Sequence, residues 1–103
     1  MHASVILLHV QTGAFEEAVH LFQNSVMPAA RALQGFKDVL FLTAAATGKV
    51  VVITLWETEA DLMANETSDF YRAQIAKIGG IIATLPVRET YAVRWLTRMM
   101  WDL

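Results

Sequence analysis

Five residues carry side chains suited to chemistry: His9, Trp56, Asn65, Tyr71 and Arg72. His9 stands in a run of aliphatic residues, and an imidazole there can act as a base near neutral pH. The alternative is a ring bonded to a backbone carbonyl or set in a subunit interface. Trp56 offers a broad face for stacking an aromatic ring, or else a core side chain. Asn65 can donate to an oxyanion from a break between helices, or cap a helix C-terminus. Tyr71 can place its hydroxyl in a pocket, or pack with that hydroxyl in water. Arg72 can hold a phenolate or carboxylate, or pair with nearby acids on the surface. A base, an oxyanion donor, an aromatic platform and a cation are what proton removal from an electron-rich ring requires.

Other chemistries lack their parts. There is no cysteine, which excludes thiolate catalysis, disulfides and cysteine metal sites. His2, His9 and His20 show no metal-ligand spacing, His20 reads as exposed, and no metal is expected. No phosphate-cradling glycine loop or G-x-S-x-G elbow occurs. Met27, Met63, Met99 and Met100 read as gap fillers.

A chain of 103 residues makes one domain, with a core over about residues 4–96 and an apolar tail over 97–103. The net charge of −2 argues against nucleic acid and anionic membrane as partners. Acids gather at Glu57, Glu59, Asp61, Glu66 and Asp69, and Arg88, Arg94 and Arg98 lie near the end. They form either two solvated faces or an acid-to-base contact between subunits. Apolar residues reach 55%, above the usual share of about 45–50%, which points to a pocket, an interface or both. No apolar run approaches the roughly 18 residues of a membrane span. The apolar start, Val5 to Leu8, has no basic flank and ends at His9, so it reads as a strand rather than a signal peptide. The cytoplasm is the expected location.

The elements that must position these residues follow from periodicity. Ser4–Gln11 is predicted as a strand, with Val5, Leu7, His9 and Gln11 on one face and Ile6, Leu8 and Val10 on the other. Ala14 to about Leu33 carries a helical apolar stripe. Pro28 should kink or restart it near Val26–Pro28 and sit in the first turn of a second segment. Gln34–Gly35 stops it. Phe36–Thr43 and Lys49–Trp56 are predicted strands, joined by the small residues Ala44–Gly48 as a hairpin. Thr58 starts a helix over Glu59 to about Asn65. Thr67 or Ser68 caps the next, which Gly79–Gly80 ends. Ile81–Pro86 reads as an irregular linker and Val87–Leu96 as the last strand.

The order strand, helix, strand, strand, helix, strand is the ferredoxin-like α+β arrangement. Its helices cover one face of a four-stranded antiparallel sheet. The other face is apolar too, so a two-fold homodimer through that open face is expected, with the tail lying over the partner.

Pro28, Leu33-Gln34-Gly35-Phe36, Thr54-Leu55-Trp56-Glu57-Thr58 and Ser68-Asp69-Phe70-Tyr71-Arg72 resemble the motifs of the antibiotic biosynthesis monooxygenase domain family. The resemblance spans about Val5 to Trp95. It implies a dimeric α+β barrel, and for some members oxidation of anthrone- or quinol-type aromatics by molecular oxygen without a cofactor. In those members an Asn four residues before the Trp and a Tyr six after it serve catalysis; here these positions are Val52 and Leu62. Haem-degrading members use a Trp and a His where this chain has Asn65 and Ile75. The leading expectation is therefore cofactor-free monooxygenation of a small quinol- or anthrone-like aromatic. Trp56 stacks the ring, His9 or Tyr71 manages the proton, Asn65 steadies the oxyanion and Arg72 holds an anionic substituent. The alternatives are a non-catalytic dimeric module for small-molecule binding or stress response, and third a haem-binding relative.

Overall fold

The computed structural model describes residues 1–97. Met99, Met100, Trp101 and Leu103, and with them the expected course of the tail over a partner, lie outside the described residues.

Four strands form one antiparallel sheet: β1 (His2–His9), β2 (Phe36–Ala44), β3 (Lys49–Trp56) and β4 (Val87–Ala92), in the spatial order β2-β3-β1-β4. This is the ferredoxin-like α+β arrangement expected from the order of elements. β1 sits centrally because it is apolar on both faces, and it pairs with β3 from His2–Trp56 to His9–Lys49 and with β4 from His2–Ala92 to Leu7–Val87. It begins and ends two residues earlier than its periodicity suggested. The chain beyond it is still held, because Val10 forms an isolated bridge with Ile82. β4 is shorter than expected: after Ala92 pairing closes with the Val93 N–H on the Met1 carbonyl oxygen at 3.0 Å.

The first helical stretch divides around its proline. α1 (Phe15–Leu21) runs into a π-helical turn over Phe22–Val26, and α2 (Met27–Ala30) carries Pro28 in its first turn. Proline has no N–H for the carbonyl four residues back and its ring crowds that carbonyl, so the helix widens before it. Lys77 Nζ donates to Ser25 Oγ at 2.7 Å and ties the widened turn to the later helix.

β2 contains a bulge between Phe36 and Asp38, where its register against β3 shifts. One extra residue reverses the alternation. Phe36 and Val39, which strict alternation would put on opposite faces, therefore both point toward the helices, as does Phe41.

α3 (Glu59–Glu66) and α4 (Asp69–Ile78) follow β3. Thr58 Oγ1 accepts the Asp61 N–H at 3.1 Å, the first half of a capping box. Between Thr67 and Ser68 the cap of α4 is Ser68, and Thr67 ends α3. The segment after Gly80 is irregular, as expected, and buries Ile81 against Leu8, Val10, Ala14, Ala18 and Val50. No helix among the described residues is long and apolar enough to cross a membrane.

Candidate functional site

Even-numbered residues of β1 and β3 face the helices. Their side chains, with the π-helical turn above and α3 and α4 beside them, enclose a half-open cavity of about 140 Å³. Its floor changes character along β1. At one end Leu8, Val10, Val50, Phe41 and Phe22 make it apolar, with the two phenylalanine rings 4.4 Å apart. At the other, Ser4 and Thr54 lie opposite each other across the β1–β3 ladder, and Arg88 of β4 lies beside Ile6.

Local structure positions the polar end. Ser68 holds two site residues at once. Its Oγ accepts the Tyr71 N–H at 3.1 Å and donates to the Asn65 carbonyl oxygen at 2.7 Å, and its own N–H reaches that carbonyl at 3.0 Å. The last turn of α3 and the first turn of α4 are thereby locked together, and the Asn65 and Tyr71 side chains both line the cavity. Asn65 lies inside α3 rather than at its C-cap, which is Thr67. Trp56 is buried at the end of β3. Its Nε1–H donates to Thr54 Oγ1 at 2.9 Å, and Phe36 meets it edge-on with centroids 5.6 Å apart. Its one polar group is thus committed and its ring orientation is set.

Arg88 is the residue at the centre of this end. Its guanidinium lies 3.8 Å from the centroid of the Tyr71 ring, a close cation–π contact. Its Nη1 is 3.2 Å from Glu66 Oε1, an ion pair with both side chains about one-fifth exposed. The pair is not aligned as a hydrogen bond, since Glu66 Oε1 has no such partner among the described residues. Four further buried atoms are in the same condition: Arg88 Nε, Arg88 Nη2, Asn65 Oδ1 and Gln74 Oε1. Buried polar groups are nearly always paired, so this many beside one cavity is unusual.

The structure brings together Trp56, Asn65 and Tyr71 of the residues expected from sequence. It leaves two outside. His9 is odd-numbered on β1 and sits on the open face of the sheet, where its backbone N–H donates to Thr84 Oγ1 at 3.3 Å and its Nδ1 is 3.5 Å from that hydroxyl. The guanidinium of Arg72 is exposed, 3.3 Å from Asp69 Oδ1 and donating to the Thr67 carbonyl oxygen at 3.2 Å; this is the surface pair that was its alternative reading. Arg88 and Gln74 line the cavity without having been expected as site residues, and Glu66 lies against Arg88. The alternatives for the acidic and basic groups were two solvated faces or a contact between subunits; Glu66 and Arg88 instead pair inside one chain. Among the described residues no three histidine or acidic side chains cluster as a metal would require.

No protein-family model matches the sequence, and no curated protein matches it either. Solved structures do match. A provisionally named antibiotic biosynthesis monooxygenase from Nitrosomonas europaea shares 16% identity over 92% of this chain and 100% of its own, with a TM-score of 0.76. A monooxygenase of Streptomyces coelicolor, in complex with the ligand nanaomycin D, shares 18% identity over 92% of this chain and 88% of its own, with a TM-score of 0.75. A protein of unknown function from Nitrosomonas europaea shares 21% identity over 92% of this chain and 90% of its own, again with a TM-score of 0.75. The chain has the fold of the antibiotic biosynthesis monooxygenases.

Proposed function

We propose that the protein oxidises a small hydroxylated aromatic with molecular oxygen and without a cofactor. The observation that carries this reading is the polar end of the cavity, where Arg88, stacked on Tyr71, lines an otherwise mostly apolar chamber. A cation beside a bound phenol favours its ionised form, and a phenolate is electron-rich enough to reduce oxygen itself. Oxygen adds at a ring carbon as a hydroperoxide; one oxygen atom stays as a new carbonyl and the other leaves as water. The ring supplies all the electrons, so no external reductant enters the balance. Arg88 holds the oxyanion, Tyr71 manages the phenol proton, Trp56 stacks the ring and Asn65 orients it. Arg88 here takes the part first assigned to Arg72, and of His9 and Tyr71 the latter keeps the proton.

The size of the cavity narrows the ligand. An apolar cavity of about 150 Å³ accommodates benzene, so 140 Å³ takes one ring, and anything larger must extend through the open side. Haem exceeds it severalfold, and Ile75 lines the wall where the haem-degrading pattern has its histidine. Quinol-sized substrates therefore stand ahead of anthrones, and the haem-binding reading falls behind both.

A second copy of the chain on the open face completes the proposal. That face exposes Leu40, Leu42, Val87 and Tyr91 at 46–57%. Light scattering is expected to show a dimer at micromolar concentration, and a monomer there would refute the arrangement.

Oxygen uptake with a panel of phenols, hydroquinones and anthrones tests the activity. Uptake above the spontaneous rate is expected, lost in Trp56→Ala and lowered about 10²–10³-fold in Arg88→Gln, the usual effect of removing one oxyanion donor. The specific observation for a non-catalytic binding module is that Val52 and Leu62 replace the polar pair of the polyketide-oxidising pattern, and Leu62 is wholly buried. A flat trace from folded dimer selects that module, and thermal shift then becomes the way to find its ligand.

A further inference from the structure

We propose that Ser4 holds a neutral oxygen of the bound ring, a hydroxyl or a carbonyl, and so makes the cavity prefer an oxygenated ring to a hydrocarbon of the same shape. The inference rests on the cavity being the ligand site, as in the function proposed above, but it is a statement about binding and stands without turnover.

It starts from an exception in the core. Apart from Trp56, Ser4 is the only fully buried residue with a polar side chain among those described, at 6% exposure. The next inward positions of β1 are Ile6, Leu8 and Val10, and an aliphatic side chain is the ordinary choice there. The Ser4 hydroxyl makes no hydrogen bond among the described residues. Burying a hydroxyl without a partner is costly, so its presence asks for one. This oxygen is also within reach. The unpartnered side-chain atoms without accessible surface are the five named above, on Asn65, Glu66, Gln74 and Arg88, and Ser4 Oγ is not among them. The little surface that Ser4 keeps therefore includes its hydroxyl oxygen, and Ser4 lines the cavity.

The neighbours of Ser4 on the same face of the sheet set what the oxygen can be. Thr54 stands opposite it in the β1–β3 ladder and Thr90 opposite it in the β1–β4 ladder. Thr90 is exposed, whereas Thr54 lines the cavity. Thr54 Oγ1 accepts the Trp56 Nε1–H at 2.9 Å and donates to nothing among the described residues, so its own proton is unused. No hydrogen bond joins Ser4 to Thr54, although directly opposed side chains start only about 4.5–5.5 Å apart at Cβ. A ligand oxygen above this pair accepts from a hydroxyl, and a ligand O–H donates back to Ser4 Oγ. Neither hydroxyl carries charge, which suits a neutral ring oxygen rather than a carboxylate.

Anaerobic calorimetry with phenol and toluene tests the proposal, since the two probes share a shape and differ in one oxygen, and exclusion of air stops oxidation. Phenol is expected to bind wild type more tightly than toluene. In Ser4→Ala, shown folded by circular dichroism, the ratio of phenol to toluene affinity should fall about three- to tenfold, the effect of one net hydrogen bond. Toluene affinity itself should not fall. Should Ser4→Ala not fold, Ser4→Cys keeps the shape and weakens the donor, and is expected to move the ratio the same way. Toluene binding wild type as tightly as phenol, an unchanged ratio in a folded variant, or no binding of either probe at millimolar concentration each overturns the proposal. A variant with a lower thermal midpoint and the wild-type ratio does so too, because the hydroxyl would then serve the fold. A ratio that falls as expected, from a protein with no oxygen uptake on any phenol, would remove the proposed oxidation and leave the role of Ser4 standing. Uptake with an unchanged ratio would do the reverse.

Discussion

At the scale of the residue, Leu62 and Glu57 bracket what a side chain contributes. Leu62 is 1% exposed beneath α3, so Leu62→Ala is expected to cost about 2–5 kcal/mol, measured by urea unfolding. Glu57 is fully exposed, and the Lys37 ammonium, hydrogen-bonded at 2.8 Å, holds its carboxyl below the ordinary 4.5. A depressed folded-state pKa stabilises at neutral pH and loses that contribution as the pH falls through it. The small gap between wild type and Glu57→Gln should therefore close in unfolding curves taken below pH 4.5. Residue chemistry was only partly legible in the sequence. His9 drew notice by type, yet its odd position on β1 places it away from the helices. Arg88 stood out only as part of a basic group near the end, because a charged residue among strand alternation reads as solvated. Its pairing with Ile6 of β1, which no local pattern reveals, is what turns it inward.

Elements were far more legible. Both capping hydroxyls lie ahead of helical stripes, and Pro28 marks the restart of its helix, because these signals act within a few residues of themselves. Ser68 does more than cap. It joins Asn65 to Tyr71, so Ser68→Ala is expected to cost about 1 kcal/mol in stability and also to weaken ligand binding, which a surface cap would not. Calorimetry on the variant measures both. Gly35 is the matching constraint at the start of α3. Its φ is +79°, a Cβ there would run into the Asp61 side chain, and its carbonyl oxygen accepts the Glu57 N–H at 2.7 Å. Gly35→Ala should lower stability by about 1–2 kcal/mol from the backbone alone, seen as a lower thermal midpoint. The bulge in β2 left no comparable signal: nothing in Phe36-Lys37-Asp38 distinguishes it from a regular strand.

For the whole molecule, the sheet has one face committed to a cavity and one apolar face turned outward. Leu40, at 57% exposure, lies on the outward face, and Leu40→Glu is expected to convert the proposed dimer to monomer in light scattering. Which face each residue of β2 joins depends on the bulge, and this separates the spelling of the strand from its length. Lys37→Ala removes only an exposed ion pair, and its cost should stay below about 1 kcal/mol. Deleting Lys37 changes no chemistry in the cavity. It would leave Phe36–Trp56, Asp38–Leu55 and Val39–Thr54 as successive pairs, so strict alternation returns with Phe36, Val39 and Phe41 on the face they already share. Among descendants of this sequence, a one-residue gap at that position is therefore tolerable, whereas the same gap within Val39–Ala44 would set part of β2 on the wrong face.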